Sequence, residues 1–366
     1  MELLKENQII RGTYEVERLL GVGAFAEVYR VKHRFLGRQA IKIFKSIGMT
    51  MEEIKVLMGE AIILSRMGHP NIIRLFDADV IETSWGTCGF FTMEYVAGGS
   101  LEQFWRSYGA QLVPVETTVD IIKQVCRGLS IAHCENPPII HRDIKPANIL
   151  VGYDADGLRV RLSDFGLAKK VNPLTFLASA RGTLAFKAPE AFSKQGVDSS
   201  AGDVWSIGMT LYLLLTDRLP YSTSEEIDMD DVAHFDRPLI PPSRFNVMVD
   251  PLLDQIVFRA LNQDPEKRYA NARKMLKDMV RWKPQSIECQ LKMKGLSETT
   301  KSVLGLHTGP NEEKAREMVK QAREMVREGL KFNEAADIME EAFNKWPVLR
   351  DEYGYQIKLW RRGISM

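Results

Sequence analysis

The chain has 366 residues, which is long for one hydrophobic core and predicts two or three domains. Its 49 lysines and arginines nearly balance its 48 aspartates and glutamates, so a formal charge of +1 gives no case for binding nucleic acid or an anionic membrane. The longest apolar run, Ile207 to Leu215, is too short to cross a bilayer, and no N-terminal stretch resembles a signal peptide. Four cysteines without CxxC spacing favour reduced thiols and a cytoplasmic location.

The first third of the chain has mostly the short, alternating, β-branched pattern of strands. The exception is segment 51–67, where apolar residues at helical spacing predict a helix that Gly68-His69-Pro70 ends. After about residue 98 the patterns are mostly helical as far as 282, apart from one short strand and an irregular stretch over 164–189. The sequence therefore predicts a small β-rich lobe and a larger helical lobe, joined by a hinge near 93–98. The predicted strands are 14–20, 27–32, 39–44, 91–96 and 158–163.

The segment 141–148, with the letters HRDIKPAN, places three chemically useful groups within six residues. Asp143 offers a carboxylate base, Lys145 a phosphate-binding ammonium and Asn148 an amide that can bind a metal. Asp164, in the tripeptide DFG, follows at a short distance and adds a carboxylate ligand for a metal. Taken alone, Asp143 or Asn148 is equally well explained as a polar residue that caps a loop. All four groups in this order favour phosphoryl transfer.

The turn at 21–26 carries glycines, which let backbone amides approach phosphate oxygens without a Cβ in the way. Gly21 and Gly23 alone would more often belong to an ordinary hairpin. Lys42, at the end of the predicted strand 39–44, would in isolation more often be a solvated surface lysine. The glycine turn and Lys42 therefore indicate a phosphate-binding site only in combination with the motifs that follow them along the chain.

Taken in order, these motifs resemble the eukaryotic-type, or Hanks-type, serine/threonine protein kinases over about 14–282, three quarters of the chain. The resemblance implies an α+β, bilobal fold with a small β-rich N-lobe and a larger helical C-lobe. It implies a phosphotransferase that moves the γ-phosphate of ATP to Ser/Thr hydroxyls of protein substrates. One alternative is a pseudokinase scaffold, although none of its usual losses is present. The other is a small-molecule kinase, which Lys145 and the segment Ala188-Pro189-Glu190 disfavour.

The resemblance assigns the catalytic and metal-binding roles. Asp143 is the base for the substrate hydroxyl, and Lys145 neutralises the moving γ-phosphate. Asn148 and Asp164 hold Mg²⁺ through oxygen ligands, with Mn²⁺ as the alternative metal.

The resemblance also implies the nucleotide site. Lys42 binds the α- and β-phosphates, and Glu60 pairs with it. The hinge backbone at 94–96 binds adenine behind the gatekeeper Met93. Ala26 stands where the family has a third glycine, so reduced nucleotide affinity is the most that this departure implies. The residues implied to contact ATP are Gly21, Val22, Gly23, Val28, Ala40, Lys42, Met93, Glu94, Val96, Asn148 and Asp164.

Other residues are implied to support the fold. His141 and Phe165 resemble members of a hydrophobic column that links the lobes. Asp203 resembles the buried aspartate that braces the catalytic loop, and Glu190 resembles the ion-pair partner of Arg268. These residues mark the fold rather than the chemistry.

Arg142 directly precedes the base, where the family uses an arginine to bind a phosphate on the activation segment. The candidate acceptors are Thr175, Ser179 and Thr183. Autophosphorylation is expected at Ser179 or Thr175, because Thr183 more resembles the threonine that contacts the catalytic residues. The alternative is that these are ordinary loop hydroxyls.

The kinase resemblance ends near 283, which predicts a kinase domain over 1–283 (N-lobe to about 96), a linker over 284–310 and a helical extension over 311–366. Asn311 is the expected N-cap of a first helix, and a second begins near Asn333 and ends before Pro347. The pair weakly resembles one tetratricopeptide unit, which cannot bury its own apolar face. It therefore packs on the kinase, on the segment Leu349 to Trp360, or on a protein partner.

Overall fold

The computed structural model describes residues 2–23, 26–45, 52, 68–83, 86–109, 111–165, 184–192, 198–221, 235, 237–284, 310–327, 329 and 331–364. Glu60, the candidate phosphoacceptors Thr175, Ser179 and Thr183, and the linker from 285 to 309 lie outside these residues.

An antiparallel sheet of six strands forms the N-terminal lobe, in the order β1-β2-β3-β4-β6-β5. The interior strand β6 is buried over six consecutive residues, and Lys42 of β4 stands opposite Phe91 on β6. The predicted strands are confirmed with boundaries that differ by a few residues. The strands are β1 (Ile9–Ile10), β2 (Tyr14–Val22), β3 (Ala26–His33), β4 (Gly37–Phe44), β5 (Leu75–Thr83) and β6 (Gly86–Glu94).

The C-terminal lobe is built around α3, whose long apolar run is buried on all sides. Helix α2 packs against α3 and α5, and a two-stranded sheet of β7 and β8 lies beside the hinge. The sequence predicted β8 but missed β7, which begins directly after Asn148. The elements are α1 (Leu101–Arg106), α2 (Val115–His133), β7 (Ile149–Asp154), β8 (Gly157–Leu162), α3 (Ser200–Thr216), α4 (Pro251–Ala260) and α5 (Ala272–Arg281). Among the described helices, none combines the length and the apolar character that a membrane crossing requires.

Three further helices follow: α6 (Pro310–Arg327), α7 (Phe332–Lys345) and α8 (Leu349–Trp360). They share an apolar cluster of their own, separate from that of the large lobe. The apolar faces expected for α6 and α7 are confirmed, and α8 completes the cluster with Leu349, Ile357 and Trp360. The N-cap expected at Asn311 is wrong, because the helix already begins at Pro310.

The three C-terminal helices dock on the kinase lobes rather than standing apart. Phe343 meets the Tyr153 ring edge-on at 5.7 Å, and Arg361 donates to the carbonyl of Tyr153 at 3.2 Å. Arg361 also lies 2.7 Å from both Asp337 and Glu340. Burial raises the pKa of Glu340 to about 7, although Arg361 acts in the opposite direction. Docking is thus observed, at the hinge side of both lobes; a protein partner for these helices stays a prediction.

Arg268 and Glu190 form the structural ion pair that the sequence predicts. Two guanidinium nitrogens of Arg268 each lie 2.6 Å from a carboxylate oxygen of Glu190. The Arg268 side chain is fully buried and also donates to the carbonyl of Gln263 at 3.0 Å. Such a bidentate pair holds the segment 189–192 against the helical lobe.

Replacing Arg268→Ala should lower the free energy of unfolding by about 3–5 kcal/mol, because it leaves Glu190 without its charged partner. Urea denaturation of the full chain measures this loss. Arg281→Ala is the matched control: that side chain is 81% exposed and pairs with Asp278 at 3.5 Å, so its loss should cost less than about 1 kcal/mol. Equal effects of the two substitutions would contradict the assignment.

Candidate active site

One carboxylate, that of Asp203, holds the backbone at the start of the loop at 141–148. Asp203, in the first turn of α3, accepts hydrogen bonds from the backbone amides of His141 at 2.7 Å and Arg142 at 2.8 Å. His133, at the end of α2, lies 3.0 Å from the same carboxylate through Nε2 and accepts the Ala272 amide through Nδ1. Asp203 therefore ties the loop to α2 and, through His133, to α5.

The environment of Asp203 keeps the carboxylate charged. Burial on its own raises the pKa of Asp203, but the hydrogen bonds from His133 and the His141 amide outweigh it, so the pKa lies below its ordinary value. The ionised form is the one that can accept from several donors at once. Arg142 has the positive φ of 71°, an uncommon conformation for a residue other than glycine, and this bracing holds it there.

His141 connects the loop to the segment before Asp164. Its Nε2 lies 2.9 Å from the carbonyl of Ser163, and its Nδ1 accepts the amide of Asp143 at 3.3 Å. Burial lowers the pKa of His141, so the neutral ring donates through Nε2 and accepts through Nδ1. The ring also packs on Phe165 at 4.4 Å between centroids, which confirms the packing role expected for both residues.

Lys145 and Asn148 both contact one carboxylate oxygen of Asp143, Oδ2. The amide nitrogen of Asn148 donates to Oδ2 and to the backbone oxygen of Asp143, both at 2.8 Å. Lys145 Nζ lies 3.0 Å from the same Oδ2. The 3-10 turn Pro146–Asn148 brings Asn148 back over Asp143 and leads directly into β7. The three groups predicted from the motif are therefore in mutual contact.

Asp164 lines the cleft and contacts the N-terminal lobe. Its Oδ1 lies 2.5 Å from Nζ of Lys42, and both side chains are largely buried. The backbone of Asp164 has a φ of 63°, again uncommon for a residue with a Cβ. The ion pair links β4 to the end of β8, so it bridges the two lobes at the floor of the cleft.

Asn148 and Asp164 are the residues that can hold a cation here. Asn148 uses its amide nitrogen to bind Asp143, which leaves the amide oxygen as its metal-binding atom. No three His, Cys, Asp or Glu side chains converge as a metal site within the described ranges. An amide and a carboxylate oxygen fit a hard divalent cation that keeps several waters and takes further oxygens from a bound phosphate.

A cleft of about 1160 Å³ is lined by both lobes, by the hinge and by residues of the C-terminal helices such as Glu341 and Asn344. Of the predicted nucleotide contacts, seven line it, whereas Val22, Gly23, Lys42 and Asn148 do not. Lys42 contacts Asp164, which lines the cleft. Val22 is 61% exposed at the end of β2. Sequence reasoning missed Leu20 and Leu150, although each is next to or two residues from a predicted site residue. The predicted residues in the lining are Gly21, Val28, Ala40, Met93, Glu94, Val96 and Asp164.

The comparisons with known proteins came out as follows. The family model described as a protein kinase domain matches residues 14–280. The chain is 30% identical over 273 residues to serine/threonine-protein kinase PknB of Mycobacterium leprae, covering 73% of this chain and 42% of that protein. It is 34% identical over 266 residues to serine/threonine-protein kinase Pkn1 of Myxococcus xanthus, covering 71% of this chain and 37% of that protein.

Among solved structures, the Mycobacterium tuberculosis PknI kinase domain is similar to this chain, with a TM-score of 0.56 and 26% identity. The match covers 76% of this chain and 99% of that domain. The chain spans about two fifths of the length of the curated relatives named above. The expected bilobal α+β fold is confirmed, and the C-terminal helices lie beyond the range of the family model.

Replacing Asp203→Asn should expose the amides of His141 and Arg142 to hydrogen exchange about 10–100 times faster. The substitution keeps the shape but removes the charge; hydrogen bonds to a charged group contribute about 1.5–3 kcal/mol each, and those to a neutral group about 0.5–1.5 kcal/mol. Exchange followed by mass spectrometry or NMR measures the effect. Asp198→Asn is the control, because Asp198 contacts the side chain of Arg142, at 2.8 Å, and not its backbone amide. Unchanged protection in the Asp203 variant would contradict the bracing role.

Proposed function

This chain belongs to the protein kinase family, and we propose that it is a serine/threonine kinase that transfers the γ-phosphate of ATP to hydroxyl groups of protein substrates. The observation that carries the proposal is the convergence of Lys145 and Asn148 on the carboxylate of Asp143, together with the Lys42–Asp164 ion pair. A base, a phosphate-binding ammonium and an amide are thus in contact, and the carboxylate of Asp164 lines the cleft. This is the set of groups that phosphoryl transfer requires.

Asp143 is the proposed catalytic base. Its Oδ2 is held by Asn148 and Lys145, so the carboxylate has one orientation from which to accept the hydroxyl proton of a substrate serine or threonine. Lys145, 3.0 Å from that oxygen, is placed to neutralise charge on the moving phosphoryl group. The loop that carries all three residues is braced by Asp203 before any substrate arrives, and such preorganisation favours the transition state.

Lys42 is the proposed ligand of the α- and β-phosphates, and the hinge backbone at 94–96 is the proposed adenine site. The apolar side chains of Val28, Ala40 and Leu150 line the cleft around it. Mg²⁺, with Mn²⁺ as the alternative, would be held by Asn148 and Asp164 and would neutralise phosphate charge. The predicted partner of Lys42, Glu60, lies outside the described residues; in the structure Lys42 contacts Asp164.

Replacing Asp143→Asn should lower kcat by about 10²–10⁴ and leave ATP affinity nearly unchanged, because the base does not touch the nucleotide. Transfer of labelled γ-phosphate to a generic protein substrate measures kcat, and calorimetry measures ATP affinity. Glu116→Gln, in the exposed first turn of α2, is the control and should transfer phosphate as the wild type does. A wild-type chain that binds ATP without transferring phosphate would support the pseudokinase alternative.

We further propose that phosphate on the segment before Thr183 is bound by Arg142. The guanidinium of Arg142 lies beside the braced loop and contacts Asp198 at 2.8 Å, so a more strongly charged phosphate can compete for it. The acceptors Thr175 and Ser179 lie outside the described residues, and their role stays a prediction.

Tryptic mass spectrometry of active protein tests the acceptors, because cleavage after Lys170, Arg181 and Lys187 separates the candidates. Phosphate is expected on the peptide 171–181, which contains Thr175 and Ser179, and not on 182–187, which contains Thr183. The peptide should carry no phosphate in the Asp143→Asn variant if the modification is autocatalytic. Unmodified 171–181 in active wild-type protein would count against the proposal.

A further inference from the structure

One face of α7 carries four polar residues at the spacing of a single helical stripe. Asp337, Glu340, Glu341 and Asn344 follow one another at i, i+3, i+4 and i+7. A stripe of this kind on a surface helix is normally solvated. Here it faces the kinase lobes, while the apolar residues of α7 pack on α6 and α8.

The N-terminal lobe meets this stripe with arginines from three neighbouring strands. Arg18 of β2 lies 2.9 Å and Arg30 of β3 lies 3.2 Å from the same oxygen of Glu341. Arg38 of β4 lies 3.5 Å from Asp337. The charges are complementary across the contact, and the Glu341 side chain is only 22% exposed. Screening by solvent is therefore reduced relative to a surface pair.

Glu341 also contacts the hinge itself. The hydroxyl of Tyr95 donates to Glu341 at 3.1 Å, and the guanidinium of Arg30 lies over the Tyr95 ring at 5.6 Å. Asn344 donates to the backbone oxygen of Gly98. Tyr95 is the central residue of the hinge segment 94–96, whose backbone faces the cleft. One carboxylate therefore connects two strands of the N-lobe with the middle of the hinge.

The same helical unit is anchored on the C-terminal lobe. The guanidinium of Arg350 lies 4.2 Å from the Phe104 ring centroid and 5.3 Å from that of Tyr108, both next to the hinge. Arg361 donates to the Tyr153 carbonyl of β7, and Arg362 donates to Ala155 at 3.0 Å. Because both lobes hold the unit, Glu341 is fixed relative to the hinge.

Two glycines, on the hinge and on β7, lie beside α7. A Cβ at Gly98 would lie 2.2 Å from the Val151 carbonyl oxygen and 3.4 Å from Oε2 of Glu340. A Cβ at Gly152 would lie 3.3 Å from the same carboxylate oxygen. The backbone of Val151 closes the Gly98 position to a side chain, whereas Glu340 lies at ordinary contact distance from Gly98 and slightly closer to Gly152.

We propose that Glu341 is a positioning residue for nucleotide binding, which holds the hinge in its adenine-binding conformation through Tyr95. The C-terminal helices then form a working part of the nucleotide site, and the inference rests on the proposed function of the hinge in binding ATP. The physical reason is preorganisation: a hinge already held by Glu341 loses less conformational entropy when the nucleotide binds.

The test uses the full chain and compares Glu341→Ala with Glu334→Ala on the same helix. Glu334 pairs with Lys331 at 3.6 Å inside the C-terminal unit and is the matched control. Calorimetric titration with MgATP should show affinity about five- to tenfold weaker for the Glu341 variant, in the range of typical coupling between sites, and unchanged affinity for the control. In the transfer assay, KM for ATP should rise by the same factor while kcat stays near the wild-type value.

Two further variants separate positioning from a merely structural effect. Tyr95→Phe removes the hydroxyl, so adding it to Glu341→Ala should weaken ATP binding little beyond the single substitution. Glu341→Gln retains an oxygen that can accept from Tyr95, so it should recover part of the lost affinity. Additive effects of the Tyr95 and Glu341 substitutions would overturn the link through Tyr95.

A Glu341→Ala variant with a lower melting temperature but wild-type affinity for ATP would overturn the proposal, since the contact would then only stabilise the fold. A wild-type chain that binds ATP with the expected difference from the variant, yet transfers no phosphate, would support this inference and overturn the proposed function. A wild-type chain that binds no ATP would overturn both.

Discussion

A buried, ionised Asp203 is the constraint on which the geometry of the cleft depends. Its carboxylate accepts two consecutive backbone amides of the loop, and Arg142 adopts a positive φ at that point. A buried charge is stable only when hydrogen-bond donors surround it. The loop amides therefore stabilise the ionised Asp203 of α3, and Asp203 in turn holds the loop. With the backbone held in this way, Asp143 and Asn148 have little freedom in where they point, which is what a catalytic carboxylate requires.

A chain of contacts connects the catalytic loop with the N-terminal sheet; the first contact involves a neutral ring and the last is an ion pair. His141 is hydrogen-bonded to the carbonyl of Ser163, which precedes Asp164, and Asp164 forms an ion pair with Lys42 in the N-terminal sheet. Each step is short-ranged, so a small displacement at one end changes the fit at the other. The hinge is the other place where the relative position of the lobes is decided.

The C-terminal helices also contact the hinge, and Glu341 and Asn344 line the same cleft. Their own apolar cluster makes them a unit, and their polar stripe meets arginines on the N-lobe and carbonyls on the C-lobe. Buried or half-buried charges of this kind add specificity of placement more surely than they add stability. A helical unit that could bind anywhere on an apolar surface is therefore held in one register, with Glu341 beside Tyr95.

The sequence by itself predicted the bilobal fold, most of its strands and helices, and the candidate site residues Asp143, Lys145, Asn148 and Asp164, because periodicity and short motifs are local properties of the chain. It also predicted the apolar faces of α6 and α7 correctly. Only the tertiary structure decided that Lys42 contacts Asp164, that β7 pairs with β8, and that Glu341 reaches Tyr95, 246 residues away. Those contacts join residues far apart along the chain, and a polar stripe on a helix looks the same whether water or a set of arginines faces it.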